Sequence, residues 1–118
     1  MFIGELAKKS GFTRDAIRYY EKMGLINCKG QGSAENNYKI YSDETLQTLE
    51  HISQLKNMGF SLSQSKEVLA MANKSQLDMV GIKRTLINKR REIEGQIKTM
   101  HQHCSNIDGI LDQYFQDI

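Results

Sequence analysis

Arg14 and Arg18 stand four residues apart, with Tyr19 beside them, in Thr13-Arg14-Asp15-Ala16-Ile17-Arg18-Tyr19-Tyr20-Glu21. On a helix this spacing puts both guanidinium groups on one outward face. Guanidinium forks and tyrosine hydroxyls shown together suit phosphate oxygens and the base edges of a DNA groove. Lys8, Lys9 and Lys22 add positive charge, against only Asp15 and Glu21, so this region is locally basic. Two adjacent lysines such as Lys8 and Lys9 are as readily a plain solvated face. A second candidate chemistry lies near the C-terminal end, where His101 precedes Cys104 by three residues and His103 adjoins it. His-x-x-Cys on one helix face can turn two ligands toward a metal. Cys104 also falls on an apolar helical line, where cysteine packs as a small hydrophobe, and core packing is the preferred reading over thiol sensing or metal binding. Cys28 reads as a bystander. No Ser/His/Asp set, paired carboxylates or phosphate-cradling glycine loop has a setting for catalysis, so no enzyme and no cofactor are expected.

The elements that must position these residues follow from local pattern. Thr13 can cap a helix at its start, Asp15 suits the positive end of its dipole, and Gly24 suits its end. Ala16, Ile17 and Tyr20 are spaced as the inward face of that helix, leaving Tyr20 shared between core and phosphate. Residues 4–10 form a short helix with Leu6 and Ala7 inward, after an extended Phe2-Ile3. Gly11 makes the tight turn of a helix-turn-helix. Residues 27–37 are loop chemistry rich in Gly, Ser and Asn, and 38–41 alternate as a strand. Together they read as a wing, a β-hairpin with a flexible tip; a surface loop followed by an unrelated strand is the plainer alternative. Ser42 caps a helix carrying Leu46, Leu49, Ile52 and Leu55 as far as Met58, where Gly59 ends it. Phe60 packs inward, and Ser61 or Ser63 restarts a helix with Val68, Leu69 and Met71. Lys56 is either near the DNA backbone or simply exposed.

From residue 76 to about 114 the regularity changes. Met79, Leu86, Ile93, Met100, Ile107 and Tyr114 recur every seventh residue. A second line, four residues on, runs through Ile97, Cys104 and Leu111 and extends backward through Arg90 and Lys83. This is a heptad seam, and a helix so long with an apolar stripe needs a partner, most simply a second copy.

Several of these stretches together resemble the mercury-resistance-regulator (MerR) family. They are Ile3-Gly4-Glu5-Leu6-Ala7, Gly11, Ile17-Arg18-Tyr19-Tyr20-Glu21, Gly24-Leu25-Ile26, Tyr38-Lys39-Ile40-Tyr41-Ser42 and Met58-Gly59-Phe60-Ser61-Leu62. The family usually has Gly-Tyr-Arg where this chain has Asn37-Tyr38-Lys39, which replaces a bidentate fork by a point charge. The resemblance implies a mainly α protein. A winged helix-turn-helix DNA-binding domain with a small β wing spans 1–72, and a long coiled-coil dimerisation helix, packed antiparallel, spans 73–118. It implies DNA contacts from Thr13, Arg14, Arg18, Tyr19 and Tyr20 on the recognition helix, and from Tyr38, Lys39 and Tyr41 on the wing. It also implies a regulator that bends and untwists promoter DNA as a homodimer, in company with RNA polymerase. Metal-sensing members carry a cysteine pair after the dimer helix; here only Cys104 is present. An architectural DNA-bending protein without an effector and a coiled-coil interaction module are the alternatives in other classes.

Composition sets the frame. The 118 residues are 25% charged and 39% hydrophobic, with a net charge of +2 that does not by itself argue for nucleic acid. No apolar run approaches a membrane span, no signal-peptide core opens the chain, and two cysteines without a framework fit the cytoplasm. The absence of proline permits long uninterrupted helices.

Overall fold

A computed structural model describes residues 1–31 and 38–118, so the wing tip lies outside the described residues. The chain divides into two compact units, Met1–Leu77 and Asp78–Ile118. The first begins with α1 (Ile3–Ser10), which starts one residue earlier than the sequence pattern suggests, with Phe2 alone extended before it. Gly11 closes α1 in the left-handed region at φ 79°, and its amide bonds the Ala7 carbonyl at 3.0 Å. A side chain there would be strained, so the turn into the next helix depends on glycine. The next helix, α2 (Arg14–Lys22), is followed by Gly24 at φ 80°.

The hairpin is shorter than expected. Strand β1 (Gly30–Gln31) pairs antiparallel with β2 (Lys39–Ile40), in the register Gly30↔Ile40 and Gln31↔Lys39. Tyr41 leaves the strand and turns into the core, with its amide bonded to the Met1 carbonyl at 2.7 Å. Helix α3 (Asp43–Asn57) is capped by Ser42, and α4 (Leu62–Met71) by Ser61 in a capping box with Gln64. Leu6, Ile17, Leu49 and Ile52 are completely buried, joined by Tyr20, Leu25, Ile26 and Tyr41. Each such aliphatic side chain contributes about 1.5–3 kcal/mol by leaving water. Leu55, Phe60 and Val68 make a smaller cluster between α3 and α4. Thr45 is buried at the start of α3 and its hydroxyl donates to the Asn27 carbonyl at 3.0 Å, tying the end of the recognition segment to that helix.

The second unit is α5 (Met79–Tyr114), 36 residues, about 54 Å at 1.5 Å per residue. It starts later than residue 76 because Lys74–Gln76 form a 3-10 turn. Asp78 then accepts from the Gly81 amide at 2.8 Å as the cap. No residue of α5 is buried within the single chain, and Met79, Leu86, Ile97, Met100, Ile107, Leu111 and Tyr114 are all exposed. Arg90, on the charged part of the seam, pairs with Glu94 of its own helix at 3.2 Å. No helix among the described residues is long and apolar enough to cross a membrane.

Candidate nucleic-acid interface

Helix α2 is fixed from within and open to solvent outside. Thr13 Oγ1 accepts from the Ala16 amide at 3.1 Å, while Ile17 and Tyr20 anchor the inner face. The Tyr20 ring meets Phe12 edge-on at 5.3 Å, and its hydroxyl accepts from Lys56 Nζ at 3.3 Å. Tyr20 is therefore a core residue with its polar end already engaged, not part of the exposed face. Lys66 Nζ donates to the Met23 carbonyl at 3.0 Å, supplying the cation that the C-terminal end of α2 favours.

The outer face carries Arg14, Arg18 and Tyr19, all exposed, beside the exposed cap residue Thr13. Arg18 touches Asp15 at 3.3 Å, a solvent-exposed contact that gives way at little cost. The Arg14 guanidinium lies across Gly4: a Cβ there would come within 2.9 Å of its Nη2. The glycine of α1 thus leaves room for the arginine of α2.

The three wing residues fare differently. Tyr38 is exposed and its ring stands 5.9 Å from that of Phe2. Lys39 is paired with Glu21, near the end of α2. Tyr41, expected as a backbone anchor, is 2% exposed and belongs to the core. The strict alternation read into 38–41 fails here because Tyr41 fills space between the hairpin and the helices. A cleft of about 220 Å³ between Phe2, Ile3, Arg18, Tyr38, Lys39 and Tyr41 joins the wing to α2.

Burial, and then the adjacent Glu21 carboxylate, push the Tyr41 phenol from 10.0 up to about 12. The hydrogen bond and charge of Glu21 also raise Lys39 above 10.5. In both cases the folded chain holds its proton more tightly than the unfolded chain does. The Tyr41 share of stability is whole below pH 10 and is lost as pH rises through about 12, and the Lys39 share is likewise lost on the alkaline side of its ordinary value. Denaturant midpoints measured across this alkaline window should fall, and Tyr41→Phe should flatten that fall. An unchanged slope in Tyr41→Phe would show that the phenol does not titrate with folding.

Cys104, His101 and His103 are exposed on α5 in the single chain, so the packing expected of Cys104 is not present within one copy. Cys28 is half-buried against the core. Among the described residues no three His, Cys, Asp or Glu side chains gather as a metal site would require. Glu21, Phe2 and Gly4 carry no sequence signal that places them at the interface, and Lys56, which the sequence leaves either near the DNA backbone or simply exposed, bonds the Tyr20 hydroxyl. For Phe2 and Gly4 the nearness to Tyr38 and Arg14 exists only after folding. For Tyr20 and Lys56 the 36-residue separation hid the contact.

Comparison with known proteins bears on the whole of this arrangement. A family model for MerR HTH family regulatory proteins matches residues 1–72, and one described as MerR, DNA binding matches 46–110. The HTH-type transcriptional regulator CueR of Escherichia coli O157:H7 is 34% identical over 100 residues, covering 85% of this chain and 73% of that protein. The ZntR homolog of Haemophilus influenzae, also an HTH-type transcriptional regulator, is 38% identical over 97 residues, covering 82% of this chain and 70% of that protein. Among solved structures, the N-terminus of MtaN, a Bacillus subtilis multidrug transporter activator, superposes with a TM-score of 0.79 at 25% identity. That match covers 94% of this chain and 97% of the other.

Proposed function

Because this chain belongs to the MerR family of helix-turn-helix regulatory proteins, we propose that it is a transcriptional regulator that binds promoter DNA as a homodimer. The observation that carries this reading is the outer face of α2. Arg14, Arg18 and Tyr19 are displayed together on a helix whose other face is locked into the core. In this reading α2 enters the major groove, where the two arginines meet base edges or phosphates and Thr13 borders the backbone. Tyr38 flanks it from the hairpin. Residues 1–72 bind DNA and 73–118 dimerise, the stripe on α5 being covered by a second copy packed antiparallel. Switching follows when an effector, the inducer, binds and the dimer bends and untwists the promoter, realigning its elements for RNA polymerase. The place of action is the cytoplasm, and no chemical step is catalysed.

The test is a fluorescence-anisotropy titration, at fixed salt, with DNA from upstream of the chain's own gene against a scrambled duplex. The reading expects preference for the upstream DNA by about a thousandfold or more. Equal affinity would favour the architectural alternative, and no binding would favour the interaction module.

Cys104 has a bland role in this scheme: it fills space in the dimer seam. Cys104→Ala and Cys104→Val should both still bind the operator and respond to inducer, at about 1–2 kcal/mol less stability. Loss of induction with intact DNA binding, together with fast thiol labelling of the wild type, would make Cys104 the switch.

A further inference from the structure

Glu21 is out of place on a surface that meets a polyanion. It sits at the end of α2, three residues from Arg18, and its carboxylate would repel phosphate. Its cost is raised further by burial, since Oε1 is shielded from solvent. The other oxygen, Oε2, takes the ammonium of Lys39 from β2, eighteen residues along the chain. Beside the pair stands the Tyr41 side chain, raised in pKa partly by the same carboxylate. One side chain of the recognition helix thus meets both Lys39 of β2 and Tyr41 just beyond it.

We propose that Glu21 is a positioning residue that clamps the wing to the recognition helix by holding Lys39, so that hairpin and helix meet DNA in one fixed relation. Lys39 then serves the wing's placement instead of contacting a phosphate. The inference rests on the DNA-binding reading for its consequence, but not for the clamp itself. Preorganisation of this kind raises affinity by removing the cost of ordering the hairpin at the moment of binding.

The sign of one measurement separates this role from a simple electrostatic one. If Glu21 were only a charge near DNA, the isosteric Glu21→Gln would bind the operator more tightly. A clamp requires the opposite: binding about three- to tenfold weaker, with the dependence on salt unchanged because no phosphate contact is lost. Lys39→Met should weaken binding by a similar factor, Lys39→Arg should restore it, and Glu21→Gln combined with Lys39→Met should be no worse than either alone. Tighter binding in Glu21→Gln, or additive losses in the pair, would overturn the proposal. So would a salt slope that falls by about one in Lys39→Met, which marks a phosphate contact.

A second arm needs no DNA. The Lys29 amide bonds the Ile40 carbonyl across the hairpin, and its hydrogen exchange in the free protein should quicken in Glu21→Gln. Unchanged exchange would refute the clamp. Should the wild type bind no DNA at all, the functional reading fails while this arm still decides the clamp. Lys39→Met, altering a half-exposed side chain, carries the same exchange test if Glu21→Gln folds poorly.

Discussion

Ile93→Asp should yield a chain that sediments as a monomer and no longer binds the operator. Ile93 lies on the seven-residue line from Met79 to Tyr114, near the middle of α5, and is half-buried even in the single chain. In the dimer a carboxylate there would be taken out of water with no partner supplied. Leaving one buried charge unpaired costs about 3–5 kcal/mol per site, and a symmetric assembly incurs it twice. Micromolar dimers hold together by only about 8 kcal/mol, so a loss of this size dissociates them at working concentrations. The first unit has its own core around Leu6, Ile17, Leu49 and Ile52, so its helices should persist by circular dichroism. Operator binding fails because each monomer can occupy only one half-site. A variant that stays dimeric would show that the seam does not run through Ile93. A wild type that is a well-folded monomer at micromolar concentration would remove the dimer altogether.

Arg18→Ala is expected to leave folding and dimerisation intact and to weaken operator binding by about 1–3 kcal/mol, roughly 5- to 150-fold. The side chain is exposed, and its ion pair with Asp15 is a solvent-facing contact worth little to stability. Its removal should therefore change stability little, which thermal unfolding of the variant checks. If the loss is spread evenly across operator variants, Arg18 holds a phosphate; if it relaxes preference at one base pair, Arg18 reads a base edge. Unchanged affinity at fixed salt would take Arg18 out of the interface.

What the amino-acid order made legible was local. Thr13, Ser42 and Ser61 all cap the helices they precede, because an N-cap oxygen reaches only three residues along. Gly11, Gly24 and Gly59 all take positive φ at helix ends, Gly11 as the expected tight turn and the other two as the expected stops. The heptad line and the inward face of α2 were equally plain, since each depends on a fixed period. What escaped was set by distant partners. Tyr41 sits in a strand-like alternation yet is buried, because the hairpin ends against the helices and leaves a space of its size. The spacing of Tyr20 divides it between core and phosphate, and only the distant Lys56, at its hydroxyl, decides for the core. The Glu21–Lys39 pair joins a helix and a strand eighteen residues apart in the chain, and no periodicity points to it. Helix α5 begins three residues after the expected Gln76, because a seam marks the face of a helix and not its first turn, which the cap Asp78 sets.

The central claim is that two copies of this chain present two α2 helices to one promoter site. Hydroxyl-radical footprinting on the upstream DNA, combined with the stoichiometry of the complex from sedimentation, tests it most directly. Two equivalent protected patches related by a dyad, with two chains per duplex, is the result expected of a dimeric helix-turn-helix protein. A single protected patch bearing one chain, with no symmetric counterpart, would contradict it.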